Sequence, residues 1–276
     1  MTLHTQSLRR HTSDELEAIV AALGEQKYRA RQLQKVFFDP HIKSWDHCST
    51  LPRSLRAALE EKYPFVSISP AFSETSATDG TVKYLFKTAD GHFIESVLIP
   101  HASRVTVCLS TQIGCKLACA FCMSGKHGFV RDLDAAEIID QYVLIQQAQG
   151  TRVTNIVFMG MGEPFDNYRE VLRSIRVFNH EMGAQIGQRH ITVSTAGLPD
   201  GIRAFAREGL SQIKLALSLH AADDETRSRI MPISQRYPIA AVMAAILETR
   251  AMFKRAVTFE YLLLDQVNDR ECEARA

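Results

Sequence analysis

No stretch of the 276 residues approaches the ~18 consecutive apolar positions that a membrane-spanning helix requires, so no span is expected. The start, MTLHTQSLRRHTSDE, has no apolar h-region, so no signal peptide is expected either. Net charge is only +1, which gives no bulk evidence of a nucleic-acid partner. Internal repeats and low-complexity tracts are absent, which argues against a solenoid or a disordered chain. Cysteines number six, and without a leader the expected compartment is the cytoplasm, where thiols stay reduced. A disulfide framework therefore explains them poorly, and metal binding or redox chemistry explains them better. With 46% hydrophobic and 23% charged residues, the chain reads as a soluble globular protein with one large α/β domain and a small one.

The first 65 residues read as short helices. SDELEAIVAALGE opens with Ser13 as cap and stops at Gly24, and YRARQLQKVFF sets Ala30, Leu33, Val36 and Phe37 on one face. LPRSLRAALEEKY has Pro52 near its start and Leu55 and Leu59 one turn apart. Between Lys27 and Lys62, eight Lys/Arg face four Asp/Glu, a weakly basic segment whose plain reading is a solvated helical surface. Residues 66–100 switch to β-rich runs separated by Asp79-Gly80 and Asp90-Gly91 turns, a hairpin connector. From 101 to the end, strand and helix alternate. RVTVCLS, TNIVFMG, HITVSTAG, IKLALSLH and AVTFEYLLL are the strand candidates, and Asp134 and Glu137 stand at capping-box spacing before a long helix. The expectation is a parallel sheet forming part of a β/α barrel, with functional residues at the C-terminal ends of its strands.

Four of the six cysteines fall in VCLSTQIGCKLACAFCMSGKHGF. Cys115, Cys119 and Cys122, spaced C-x3-C-x2-C, suit three irons of a 4Fe–4S cluster, leaving the fourth iron open to an exogenous ligand. Zinc with His127 as a fourth ligand, or incidental buried cysteines, are the other readings of the spacing alone. Gly160, Gly162 and Glu163 sit where a strand meets a loop closed by Pro164. There glycine permits close approach of a ligand and a carboxylate can accept from an ammonium; a plain turn is the bland alternative. Ser194 and the triplet Ser218, Leu219 and His220 also end strands. Glu95 alone would be read as an exposed strand carboxylate in a salt bridge, and Cys108 as a buried strand thiol.

The three-cysteine spacing with Phe121 before the last thiol resembles the radical S-adenosylmethionine superfamily. With ESVLIP, FMGMGEP, VSTAG, LALSLHA, RSRIMPIS and FEYLLLDQVND in order, the chain resembles the RlmN family from about residue 14 to residue 270. That resemblance implies a partial TIM-like barrel behind a small RNA-gripping helical domain, a 4Fe–4S cluster on Cys115, Cys119 and Cys122, and S-adenosylmethionine contacted by Gly162, Glu163, Ser194, Ser218, Leu219 and His220. It implies methylation of carbon 2 of an adenine in 23S rRNA and in some tRNAs. It further implies an electron donor such as a flavodoxin or ferredoxin, and no membrane. Glu95 would accept the proton from the adenine, thirteen residues ahead of Cys108 as in the family. Cys108 would release the methylated RNA from a thioether-linked intermediate by forming a disulfide with a second, methyl-carrying cysteine. The family carries that second cysteine in a motif like DAACGQ, which this sequence lacks. Cys272 does not match its position, and neither it nor Cys48 receives a role. The related Cfr family, which methylates carbon 8 of the same adenine, fits MGEP and SLHA less closely. The alternatives are an inactive RNA-binding remnant and a radical enzyme with another substrate.

Overall fold

The computed structural model describes residues 7–275. The expectation about a leader concerns a start whose residues 1–6 lie outside the described residues. In chain order the elements are α1 (Ser13–Ala22), α2 (Tyr28–Phe38), α3 (Arg53–Lys62), β1 (Ile68–Thr75), β2 (Val82–Thr88), β3 (Phe93–His101), β4 (Arg104–Cys108) and β5 (Gln112–Gly114). They continue with α4 (Met123–Lys126), β6 (Phe129–Asp132), α5 (Ala135–Gln149), β7 (Asn155–Phe158), α6 (Tyr168–Asn179), β8 (Ile191–Thr195) and α7 (Pro199–Ala206). The last are β9 (Lys214–Ser218), α8 (Asp224–Ile230), α9 (Ile239–Thr249), β10 (Thr258–Glu260) and α10 (Glu271–Arg275). Two compact units form. The first comprises the chain up to Leu109 with Leu133–Ile156 and Arg169–Gly187; the second comprises Ser110–Asp132, Val157–Tyr168 and the chain from Gln188 onward.

In the first unit the N-terminal helices own a core. Leu16, Val20, Ala30, Leu33, Val36, Phe37, Leu55 and Leu59 are all buried there, as helical spacing requires. Trp45 sits among them, edge-on to Phe65 at 5.2 Å, and its indole N–H donates to the Tyr63 carbonyl at 2.9 Å, so its single polar atom is satisfied. The cap of α1 differs from expectation. Thr12, not Ser13, accepts from Glu15 N–H, and the Glu15 carboxylate accepts from Thr12 N–H. Both residues are hydroxyl-bearing, and the capping box needs its acid three positions on, which selects Thr12. At α5 the expected box forms: the Asp134 side chain accepts from Ala136 N–H at 2.8 Å and Glu137 from Asp134 N–H at 2.9 Å.

The connector is an antiparallel run, β1 beside β2, β2 beside β3 and β3 beside β4, with Gly80 and Gly91 at positive φ in its turns. RVTVCLS, read as the first barrel strand, supplies β4, which lies beside β7 in the sheet. On its other side it pairs antiparallel with β3, because the two-residue link between His101 and Arg104 only permits a hairpin return.

Behind the connector, the Arg9 guanidinium is fully buried, contacts Asp140 of α5 at 3.0 Å and donates to the carbonyls of Phe37 and Phe65. Its plane lies over the Phe65 ring at 4.6 Å.

In the second unit β8 and β9 run parallel, as do β9 and β10. The candidate strand AVTFEYLLL delivers only Thr258–Glu260; Leu262 and Leu263 beyond it are exposed. Apolar composition alone made that run look like a buried strand, yet each further residue would need a ladder partner to stay one.

Candidate active site

The second unit carries a cleft of about 230 Å³ at the C-terminal ends of its strands. Its wall includes Cys115, Cys119 and Cys122, then Gly160, Gly162 and Glu163 after β7, Ser194 at the end of β8, and Ser218 and His220 at the end of β9. Eight of the residues singled out as cluster or cofactor contacts thus share one concavity although they span more than a hundred positions. Leu219 is the exception. Its backbone N–H donates to the Glu260 carbonyl at 3.0 Å, and its side chain lines a different cavity with Phe259 and Tyr261. Adjacent residues of an extended segment face opposite ways, so Ser218 and Leu219 cannot both look into the cleft.

The cysteine loop is held shut at its base. Gln112–Gly114 and Phe129–Asp132 pair antiparallel, and Cys115 N–H donates to Gly128 O at 3.2 Å. Gly114 has φ +74°, and a Cβ there would lie 1.6 Å from the Gly128 carbonyl oxygen. Gly114→Ala is therefore expected to open the loop. The left-handed backbone alone costs about 1–2 kcal/mol, and the collision adds to it. Thermal unfolding and iron content measured together check this, and wild-type values for both would contradict the closure.

Within the loop, Cys122 N–H donates to Cys119 O at 3.1 Å, and Ala120 N–H donates to Ile230 O at 2.9 Å, which ties the loop to the end of α8. Burial pushes the Cys115 thiol up to about 11 and Cys119 to about 12, each thiol further opposed by negative neighbours. Such thiols ionise only beside a compensating cation, which iron supplies. Among the described residues no three His, Cys, Asp or Glu side chains converge on a point suited to a single metal ion. A 4Fe–4S cluster takes one thiolate per iron and needs no such convergence, so the donor set, three thiols around one cleft, suits the cluster. His127, the fourth ligand of the zinc reading, is exposed and outside the cleft wall.

Glu163 is 3% exposed. Its Oε1 accepts from Phe165 N–H at 3.0 Å and its Oε2 from Ala196 N–H at 2.8 Å, so it links the loop after β7 to the end of β8. Burial pushes its pKa up to about 7, against the pull of these hydrogen bonds. A carboxylate has lone pairs to spare after two such bonds, so it can still take an ammonium. Gly162 has φ +100°, and a Cβ there would lie 2.6 Å from the Gln112 Cβ. Gln112 is the reason. Its amide is fully buried, donates to Asp132 and Asp166 at 2.8 and 2.7 Å, and accepts from Glu163 N–H at 2.9 Å.

His220 adopts φ +57°, unusual for a residue with a Cβ. It is held there from both sides: its N–H donates to Glu260 O, its carbonyl accepts from the Asn268 side chain at 2.7 Å, and Nδ1 accepts from Leu262 N–H at 3.0 Å. That last bond places the ring proton on Nε2. Burial, then the Arg227 charge, pushes its pKa down to about 4, so the ring is neutral at pH 7. Phe121 meets the ring edge-on at 5.0 Å. Ser194 and Ser218 hydroxyls lie 3.5 Å apart.

Arg227, Gln112 and Asn268 were not singled out from sequence. Arg227 had a signal: it shares the Arg227–Ile230–Met231 helical spacing with two apolar residues, which puts it on the buried face of α8. Gln112 and Asn268 had none, because a buried amide and a surface amide look alike in a string.

The model of the radical SAM superfamily matches residues 109–276. A dual-specificity RNA methyltransferase RlmN of Syntrophobacter fumaroxidans is 46% identical over 266 residues, 96% of this chain and 77% of that protein. The chain belongs to the RlmN family of radical SAM RNA methyltransferases. A probable RlmN of Thermotoga neapolitana is 39% identical, covering 95% of this chain and 76% of its own length. The crystal structure of a radical SAM methyltransferase from Sphaerobacter thermophilus superposes with a TM-score of 0.93 at 42% identity, covering 98% of this chain and 80% of that one. Membership carries the family's cofactors, a 4Fe–4S cluster and S-adenosylmethionine, and the partial-barrel fold.

Two proposed site residues belong to the first unit and are not on the cleft wall. Glu95 of β3 lies opposite Leu85, and its carboxylate meets Lys83 Nζ at 2.6 Å on an exposed surface. Cys108 ends β4 opposite Val97, half-buried. Among the described residues no disulfide is formed. Among the described residues, no helix is long and apolar enough to cross a membrane.

Proposed function

We propose that this RlmN-family enzyme methylates carbon 2 of an adenine in 23S rRNA and in tRNA, working in the cytoplasm with a flavodoxin- or ferredoxin-type electron donor. The observation that carries the reading is the single cleft shared by Cys115, Cys119, Cys122, Gly162, Glu163, Ser194, Ser218 and His220. When bound, the cluster supplies the electron that splits S-adenosylmethionine into methionine and a 5′-deoxyadenosyl radical. The three thiols would hold it. Glu163 would receive the ammonium end of the cofactor, while Ser194, Ser218 and the Nε2–H of His220 would offer hydrogen bonds to its ribose and carboxylate. Glu95 would accept the proton leaving the adenine ring, and Cys108 would free the product by closing a disulfide with a methyl-carrying cysteine and displacing the thioether that joins that cysteine to the RNA; the DAACGQ-like motif that holds the second cysteine in the family is not in the sequence, so this step needs a partner thiol from elsewhere. Nucleoside mass spectrometry of rRNA and tRNA, incubated anaerobically with iron-loaded protein, S-adenosylmethionine and reductant, tests this. The expected product is 2-methyladenosine; 8-methyladenosine, or no methylated adenosine from a fully loaded enzyme, would overturn it.

Cofactor binding should depend on pH through Glu163. Its folded pKa of about 7 lies above the ordinary 4.5, so its contribution to stability is complete below 4.5 and is lost as pH rises through 7. An arriving ammonium favours the ionised form. Affinity for S-adenosylmethionine is therefore expected to weaken about tenfold per pH unit below 7 and to level off above it. Equilibrium dialysis between pH 5.5 and 8.5 reads this, and Glu163→Gln should flatten the profile. A slope that survives in Glu163→Gln assigns it to another group.

Cys108→Ala is expected to keep full iron content and, with a methyl-carrying cysteine supplied, to leave RNA joined to that cysteine by the thioether that Cys108 would otherwise displace. Denaturing gels with labelled RNA show the adduct; loss of iron in this variant would remove Cys108 from the release step.

A further inference from the structure

Arg227 is buried to 1% exposure, and every one of its hydrogen-bond partners is a neutral oxygen. Nη2 donates to Ala196 O at 2.6 Å and to Ser218 O at 3.0 Å, Nε to Leu219 O at 2.9 Å, and Nη1 to Ser234 Oγ at 3.2 Å. One side chain thus ties the chain just past the end of β8 to the end of β9, the two places that supply Ser194, Ser218 and His220 to the cleft. Carbonyls orient a guanidinium but do not cancel its charge, and a buried charge without a counter-charge is costly. Asp224, the carboxylate that acts on it, opens the same helix and accepts from Ile239 N–H. As a thiolate, Cys119 would be the other negative group bearing on it. The helix that carries Arg227 is also tied to the cysteine loop. Ile230, one turn along α8, accepts from Ala120 N–H inside the cysteine loop, and Leu117, Cys119 and Phe121 pack against the apolar cluster formed by Ala196, Ala221, Ile230 and Met231. Arg227 therefore stands on the helix whose end is bonded to the cysteine loop, with Asp224 as its one carboxylate influence.

We propose that Arg227 is a positioning residue that braces the ends of β8 and β9, and that its charge stabilises the reduced form of the cluster held by Cys115, Cys119 and Cys122. Reduction adds one negative charge at the cluster, and a fixed positive charge nearby in a low-dielectric wall favours that state. This rests on the cluster assignment of those thiols.

The test compares wild type, Arg227→Met and Arg227→Lys as full chains, each loaded with iron and sulfide anaerobically. Iron content is measured first, then the midpoint potential by a titration followed by electron paramagnetic resonance, and then the dissociation constant for S-adenosylmethionine. In Arg227→Met the ratio of reduced to oxidised cluster at a fixed potential is expected to fall on the order of tenfold, which for one electron is 59 mV. Arg227→Lys keeps the charge and loses the fork, so its potential should stay near wild type while cofactor affinity weakens. Arg227→Met with full iron and an unchanged potential would reduce Arg227 to scaffolding and overturn the proposal. Should Arg227→Met fail to hold iron, Arg227→Lys decides alone, since a large negative shift in a variant that retains the charge would overturn it equally. These outcomes leave the cluster assignment standing; only retention of iron by Cys115→Ala would remove that.

Discussion

Cys115→Ala is expected to yield a folded chain whose iron and sulfide content falls to background and whose cleavage of S-adenosylmethionine is abolished. Cys115 sits at the mouth of the loop, where β5 and β6 pair and its own N–H is tied to Gly128 O, so its position does not depend on its side chain. Alanine should therefore leave the loop closed and remove one of three thiols. Three cysteinates leave one of the four irons open for the cofactor, and removing one of them leaves a second iron without its protein ligand. The high thiol pKa values point the same way. At about 11 and 12, Cys115 and Cys119 are protonated near neutrality without iron, so metal and thiolate appear together. Colorimetric iron and sulfide assays with circular dichroism as the folding control read the result. Retained iron with an unchanged spectrum would transfer the ligand role away from Cys115.

The second large effect concerns stability. Asp140→Ala is expected to lower the unfolding free energy by about 3–5 kcal/mol, the range found when one partner of a buried ion pair is removed. The pair here has both side chains fully buried, with Arg9 Nη1 3.0 Å from Asp140 Oδ1. Asp140 Oδ2 also accepts from Ser67 N–H at 2.6 Å and from the Ser7 hydroxyl at 3.3 Å, so alanine would strand a cation, an amide and a hydroxyl at once. Since a domain's whole stability is about 5–15 kcal/mol, much of it is at stake. Urea unfolding followed in the first unit through Trp45, the only tryptophan, gives the number. Arg9→Met combined with Asp140→Leu should recover most of the loss, because no buried charge then remains unpaired. A single-variant loss below about 1 kcal/mol would mean water reaches the pair.

The amphipathic helices were legible because a 3.6-residue period needs no partner to be seen. Ala30, Leu33, Val36 and Phe37 are buried as spaced, and YRARQLQKVFF is α2 to the residue. The connector's hairpins were legible in their Asp-Gly turns, since positive φ is written into the residue type. The pairing of β4 with β3 was not. RVTVCLS is equally apolar in a parallel or an antiparallel pairing, and only the short return from β3 decided it.

What the sequence by itself determined is the chemistry: three thiols spaced within eight residues, and glycines and a carboxylate at a strand end, all local features. What only the tertiary structure decided is which of those groups share a cleft and what stands behind them. Leu219 turned away while Ser218 and His220 turned in, and Gly162 proved necessary because Gln112 passes beneath it. Arg227 became a brace of the site because its neutral partners lie at the ends of two different strands. Burial and pairing are properties of contacts between segments far apart in the chain, and no local pattern of residues specifies those contacts.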